Sequence, residues 1–121
     1  MNAKKEFLEH LTHFAKSKSD VLCAKVRERN YKYNNLESAI LTTGWTEDDF
    51  EKFLDTIDFD YDEGYGSQEL FGMIWFKDGT WSERQEYDGA ESWDYKRCPD
   101  IPKELIRKDK EREIKLKELG L

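Results

Sequence analysis

Apolar side chains recur at helical spacing over the first sixteen residues. Phe7, Leu8, Leu11, Phe14 and Ala15 make one stripe, which predicts a helix over Ala3–Lys16 ending near Ser17-Lys18-Ser19. Val21–Arg29 sets Val21 and Cys23 against Leu22, Ala24 and Val26, and its β-branched content predicts a strand. Tyr31–Gly44 supports two readings. Asn34-Asn35 suggests a turn, while Leu36, Ala39 and Ile40 fit a short helix or a strand. Thr46 followed by Glu47, Asp48 and Asp49 is a helix start, because acids in the first turn meet the positive end of the helix dipole. Phe50, Phe53, Leu54 and Ile57 are its buried stripe. Asp58–Asp62 alternates acid and aromatic, strand-like, with Phe59 and Tyr61 inward, and residues 63–67 read as a loop.

From Glu69 to Arg97 the period changes to two. Asp78-Gly79 and Asp88-Gly89 each sit between alternating aromatic runs, and Asp-Gly in that setting favours a two-residue type I′ turn. Two such turns predict a three-stranded antiparallel meander whose middle strand, Thr80–Tyr87, is rich in polar residues. A two-residue turn also fixes the register. It sets Trp75 opposite Ser82, Met73 opposite Arg84 and Phe71 opposite Glu86, then Arg84 opposite Trp93, Glu86 opposite Glu91 and Ser82 opposite Tyr95. On that register Met73, Trp75, Arg84 and Trp93 share one face, and Ile74, Phe76 and Trp81 the other. Both faces mix aromatic and polar groups, so the pattern leaves open which one is buried.

The fold class expected is α+β: an antiparallel β-meander of about four to five strands, with N-terminal, central and C-terminal helices packed on one side. At 121 residues the chain reads as a single domain over 1–101. A charged helix follows over 102–121, with Pro102 in its first turn. No apolar run approaches the ~18 residues of a membrane span, and no signal peptide is read. Cys23 and Cys98 lie far apart and outside any C-x-x-C, so they read as reduced thiols in a cytoplasmic protein.

The net charge of −7 is unevenly placed. Met1–Tyr33 has eight Lys/Arg against four acids, a net +4. Residues 46–63 have nine acids against Lys52, a net −8. Such a balance argues against direct nucleic-acid binding, which depends on cations displacing counterions from phosphate. It favours a partner protein with a basic surface.

Candidate chemistry is sparse. Trp75, Trp81, Arg84, Glu86, Glu91 and Trp93 form a candidate binding surface, since a guanidinium can stack on an indole and pair with a carboxylate. A structural cross-strand Arg–Glu pair is the competing reading. Asp58, Asp60, Asp62 and Glu63 form a candidate acidic surface. With Glu69 they overlap a calcium-loop pattern, but the glycine that belongs at the sixth position stands seventh, as Gly64. No metal and no cofactor is therefore expected. His10 and His13 read as exposed or half-buried helix residues, and no Ser or Cys lies in a recognisable nucleophile elbow.

Residues 59–102 carry a longer pattern. It runs Phe59-x-Tyr61-Asp62-x-Gly64-Tyr65-Gly66-x-Gln68-Glu69-Leu70-x-Gly72, then Ile74-Trp75, Gly79-Thr80-Trp81, Arg84-x-Glu86-Tyr87-Asp88-Gly89-x-Glu91-x-Trp93 and Pro99-x-x-Pro102. This third of the chain resembles a family of small uncharacterised proteins encoded by tailed bacteriophages and prophages. Where that family usually has Asp-Gly-Ser-Glu, this chain has Asp88-Gly89-Ala90-Glu91. The resemblance implies a phage-type accessory protein of the host bacterial cytoplasm and brings no catalytic residues.

The expected function is thus a non-enzymatic protein-binding module that modulates a host protein through an acidic and aromatic surface, in its sharpest form as a DNA mimic. The alternative is a small-ligand or nucleotide binder, or an enzyme, using Arg84, Glu86 and Trp93. Homo-oligomerisation is compatible with either.

Overall fold

The computed structural model describes residues 1–30, 35–62 and 67–105. The Asn34 half of the first expected turn, the acidic candidate Glu63 and the expected C-terminal helix beyond residue 105 lie outside them. Among the described residues two α-helices and five strands follow one another as α1 (Ala3–His13), β1 (Val21–Asn30), β2 (Asn35–Leu41), α2 (Glu47–Thr56), β3 (Leu70–Phe76), β4 (Trp81–Tyr87) and β5 (Ala90–Lys96). The strands form one antiparallel sheet in the order β2-β1-β3-β4-β5, so the chain is α+β.

Asn2 caps α1 by accepting the Lys5 amide at 2.9 Å. The helix stops three residues before the expected end. Ala15 turns left-handed at φ 55°, and the Lys16 amide closes back on Leu11 O at 2.8 Å, consuming a carbonyl the helix would leave open. Phe7 and Leu11 are buried, whereas Leu8 and Phe14 stay partly exposed, and His10 takes the inward place between them. In α2, Thr46 and Asp49 form a reciprocal capping box, and Phe50, Phe53 and Leu54 face inward with Ile57 just beyond the helix end, as the stripe predicts.

Both helices bury these residues on the same sheet face, against Ala24, Val26, Ala39, Leu41, Ile74, Phe76 and Trp93. The segment with two open readings, Tyr31–Gly44, contributes the strand β2. Its Ala39 and Leu41 lie opposite Val26 and Ala24 on the covered face. Asp58–Asp62 differs from expectation. Phe59 and Tyr61 do turn inward, but the segment joins no strand of the sheet. It pairs instead with the start of the chain, through an isolated Asn2–Asp60 bridge flanked by Ala3 N–H to Phe59 O and Tyr61 N–H to Met1 O, each 2.9 Å.

The two Asp-Gly hairpins are not alike. At Asp88-Gly89 both residues have positive φ, 52° and 86°, and the register runs Tyr87–Ala90, Glu86–Glu91, Arg84–Trp93, Ser82–Tyr95, as expected of a type I′ turn. At Asp78-Gly79 only Gly79 is left-handed, at φ 87°. There the loop has three residues, Lys77-Asp78-Gly79, closed by Gly79 N–H to Phe76 O at 3.2 Å and Phe76 N–H to Thr80 O at 2.9 Å. Trp75 therefore faces Trp81, Ile74 faces Ser82 and Met73 faces Glu83. This corrects the expected register by one residue, and a one-residue slip turns every side chain of β3 to the other face. Leu70, Ile74 and Phe76 now join Ser82, Arg84 and Trp93 beneath the helices, while Phe71, Met73 and Trp75 join Trp81 on the open face.

Candidate functional site

The six residues of the expected binding surface are divided between the two faces of the sheet. Arg84, Glu91 and Trp93 are together on the covered face and buried. Trp75 and Trp81, expected on opposite faces, are register partners on the open face. Glu86 joins neither group. It is exposed at the hairpin end, where its Oε1 accepts the Gly89 amide at 2.6 Å and braces the turn.

Arg84 is the hub of the covered group. Its Nη1 donates to Glu6 Oε1 at 2.8 Å, and its Nη2 to Tyr61 Oη and Glu91 Oε1, each at 3.1 Å. The guanidinium lies over the Trp93 ring, 5.2 Å from its centroid, and over Tyr61 at 5.7 Å. Tyr61 in turn donates to Glu6 Oε1 at 2.6 Å. Glu91 also accepts the Leu70 and Glu69 amides at 2.9 and 2.6 Å, so one carboxylate neutralises Arg84 and ties β5 to the start of β3. Burial alone would lower the Arg84 pKa, but Glu6, Tyr61 and Glu91 more than offset it and the net displacement is upward. Burial, with the hydrogen bond to Glu6, pushes the Tyr61 phenol well above its ordinary range. Arg84 Nε and Trp93 Nε1 are buried without an acceptor among the described residues.

His10 borders this group and is buried, which corrects the exposed or half-buried expectation. Its Nε2 is 2.7 Å from Ser82 Oγ. Burial lowers its pKa to about 4, with the neighbouring His13 and Arg84 adding to the effect, so the ring is neutral at pH 7. A Ser–His contact of that length is one element of nucleophilic catalysis. Here Ser82 is fully buried beneath α1, so no substrate carbonyl can reach its oxygen. The pair holds α1 to β4.

The open face is the more accessible arrangement. Phe71, Met73 and Trp75 from β3 stand beside Trp81 from β4 at the middle of the sheet, each half-buried or more exposed, Trp75 at 38%. Arg27 on β1 stacks over Phe71 at 5.5 Å, and Lys25 stands beside Met73. On the other flank Lys96 bridges Glu83 at 2.5 Å and Asp94 at 3.8 Å. Cys23 and Cys98 are free thiols, half-buried and exposed.

The acidic candidates lie away from the aromatic face. Asp58, Asp60 and Asp62 are exposed beside the start of α1, where Asp58 Oδ1 accepts from Asn2 Nδ2 at 3.0 Å. Glu47, Asp48, Glu51 and Asp55 line the outer side of α2, two of them paired with Lys18 and Lys52. Acid and aromatic surfaces, expected as one, are two.

Glu6 in the Arg84 group, and Ser82 beside it as the partner of His10, are residues to which the sequence pattern assigned no role. Glu6 precedes Phe7 and stands four residues before His10, so it borders the stripe, but a carboxylate there reads as a dipole partner in the first turn. Among the described residues no three His, Cys, Asp or Glu side chains converge as a metal site, and no helix is long and apolar enough to cross a membrane. Comparison with family models, curated proteins and solved structures finds no match to this chain.

Proposed function

We propose that this chain is a non-enzymatic protein-binding module whose open sheet face is a contact surface. One observation carries the reading. Phe71, Met73, Trp75 and Trp81 form a continuous apolar patch at the centre of a sheet whose two described helices, α1 and α2, pack on the other side. A contiguous apolar patch rimmed by charge is the mark of an interaction site, and aromatic and Met side chains are the types enriched at interfaces. The ligand-binding or enzymatic alternative rested on Arg84, Glu86 and Trp93; the burial of Arg84 and Trp93 and the turn-bracing role of Glu86 favour the contact surface over it.

The acidic outer side of α2 and the 58–62 segment would then be the second surface, offered to a basic partner. The resemblance of residues 59–102 supports a phage-type accessory protein and a bacterial host protein as that partner, in the host cytoplasm. A photo-cross-linking residue replacing Gln85, exposed on the open face, is expected to give discrete protein adducts in a bacterial host. Cross-linking no richer there than at Lys77, an exposed loop position, would refute the contact surface.

A further inference from the structure

We propose that the open sheet face is closed by a second copy of this chain, packed face to face about a two-fold axis running along β3. This rests on reading that face as a protein contact surface and adds the identity of what it contacts. The charges on the face are sorted by flank. Lys25 and Arg27 stand on the β1 side of β3, and Glu83 and Asp94 on the far side with Lys96 between them. The register sets Lys25, Met73 and Glu83 in one row across the sheet.

A two-fold axis along β3 exchanges the flanks and keeps the rows. Lys25 then meets the partner's Glu83, Glu83 meets the partner's Lys25, and Met73 packs on its own copy. An axis across the strands would set Lys25 on Lys25 and Glu83 on Glu83, and like charges directly opposed are destabilising. The pattern is therefore self-complementary in one symmetric packing, as an isologous interface requires. Five strands about 4.8 Å apart, most of them seven residues long, give a footprint of roughly 20 Å by 20 Å. Both copies together then bury about 800 Å², below the size of a standard specific interface and in the range of weak, transient ones. The dimer is accordingly concentration-dependent, and it leaves both acidic outer sides exposed.

Sedimentation equilibrium of the full chain tests this. From about 1 µM to about 500 µM the mass is expected to rise from one chain, 14.5 kDa, towards two. Trp75→Asp should stay monomeric throughout, with an unchanged far-UV spectrum and a melting transition that, unlike the wild type's, does not move with concentration. Lys25→Glu and Glu83→Lys should each weaken association about tenfold, since each opposes like charges twice per dimer. An equimolar mixture of the two should regain wild-type association, because both contacts of the mixed dimer are again of opposite sign. A monomer at every concentration, or a mixture no tighter than its components, overturns the proposal. The cross-linker at Gln85 separates this failure from that of the underlying reading. Adducts with a different protein from a monomeric chain overturn the second copy and keep the contact surface, whereas adducts only within one chain, or none, overturn both.

Discussion

The two hairpins of this protein carry the same Asp-Gly dipeptide and fold differently. In β4–β5 the dipeptide is the whole loop, and Asp88 accepts a left-handed backbone beside Gly89. In β3–β4 the loop takes in Lys77 as well, and Asp78 does not turn left-handed. The difference comes from what each loop touches. Asp78 accepts the Thr80 amide at 3.0 Å and the Thr80 hydroxyl at 2.5 Å, a bonding pattern two residues along the chain that stabilises its own turn. Lys16 adds an ion pair at 2.6 Å, and the Lys77 amide donates to Asp20 O at 2.9 Å, away from the hairpin ladder. The residue before the dipeptide is thus held by another part of the chain. A turn dipeptide sets register only where nothing else competes for its neighbours.

The sharpest break of this comparison is a charge at either of two adjacent β3 positions. Ile74→Asp should cost more than about 4 kcal/mol, combining a core cavity with a buried, unpaired carboxylate. Met73→Asp, on the open face, should leave the fold intact. Urea denaturation giving the opposite order would restore the two-residue register. Next in size is Arg84→Ala, which keeps the β4–β5 register but leaves Glu6 and Glu91 without their cation. Breaking a buried ion pair from one side costs about 3–5 kcal/mol. A loss under 1 kcal/mol would mean that this group is solvated.

Smaller effects separate the turns themselves. Gly79→Val and Gly89→Val should each cost on the order of 1 kcal/mol or more, because a β-branched residue resists positive φ. Asp88→Val should add a similar strain of about 1–2 kcal/mol. Asp78→Val meets no such strain and loses only its hydrogen bonds and the pair with Lys16. Double substitution of Asp78 and Lys16 distinguishes them further, since coupling is expected there, while Asp88 should be additive with Lys16.

The smallest effect is in the pH dependence. The side-chain hydrogen bond from Lys16, then those from Thr80, hold the Asp78 carboxyl well below the ordinary carboxylate range. A depressed folded-state pKa gives stability that is present above the unfolded value and lost as pH falls through the folded one. The gap in melting temperature between wild type and Asp78→Asn should therefore be constant above about pH 5 and shrink below about pH 4. His10, lowered mainly by burial to about 4, acts over a different window. Its neutral form is required in the fold, so stability should fall as pH drops from about 6.5 towards 4. A His10→Gln variant that loses stability as steeply over that interval would remove His10 as its cause.

Much of the fold was legible in order. The α1 helix, the α2 stripe, the Thr46 cap, the β1 strand, the three strands after residue 69 and the α+β class follow from local period, cap chemistry and turn residues. These are properties of a few neighbouring side chains, and the folded chain keeps them. The β4–β5 register belongs with them, because a type I′ turn needs only Asp88 and Gly89.

Tertiary structure decided the rest. The β3–β4 register depends on Asp20 and Lys16, both more than fifty residues before the turn. From that register follows which aromatic residues are core and which are surface, and hence that Arg84 is enclosed while Trp75 and Trp81 share the open face. The Arg84 partners Glu6 and Tyr61 come from distant segments, joined through the pairing of residues 1–3 with 59–61. Local pattern constrains the direction of a side chain relative to its own strand or helix. What it meets is set by the other elements, and a slip of a single residue reverses the outcome.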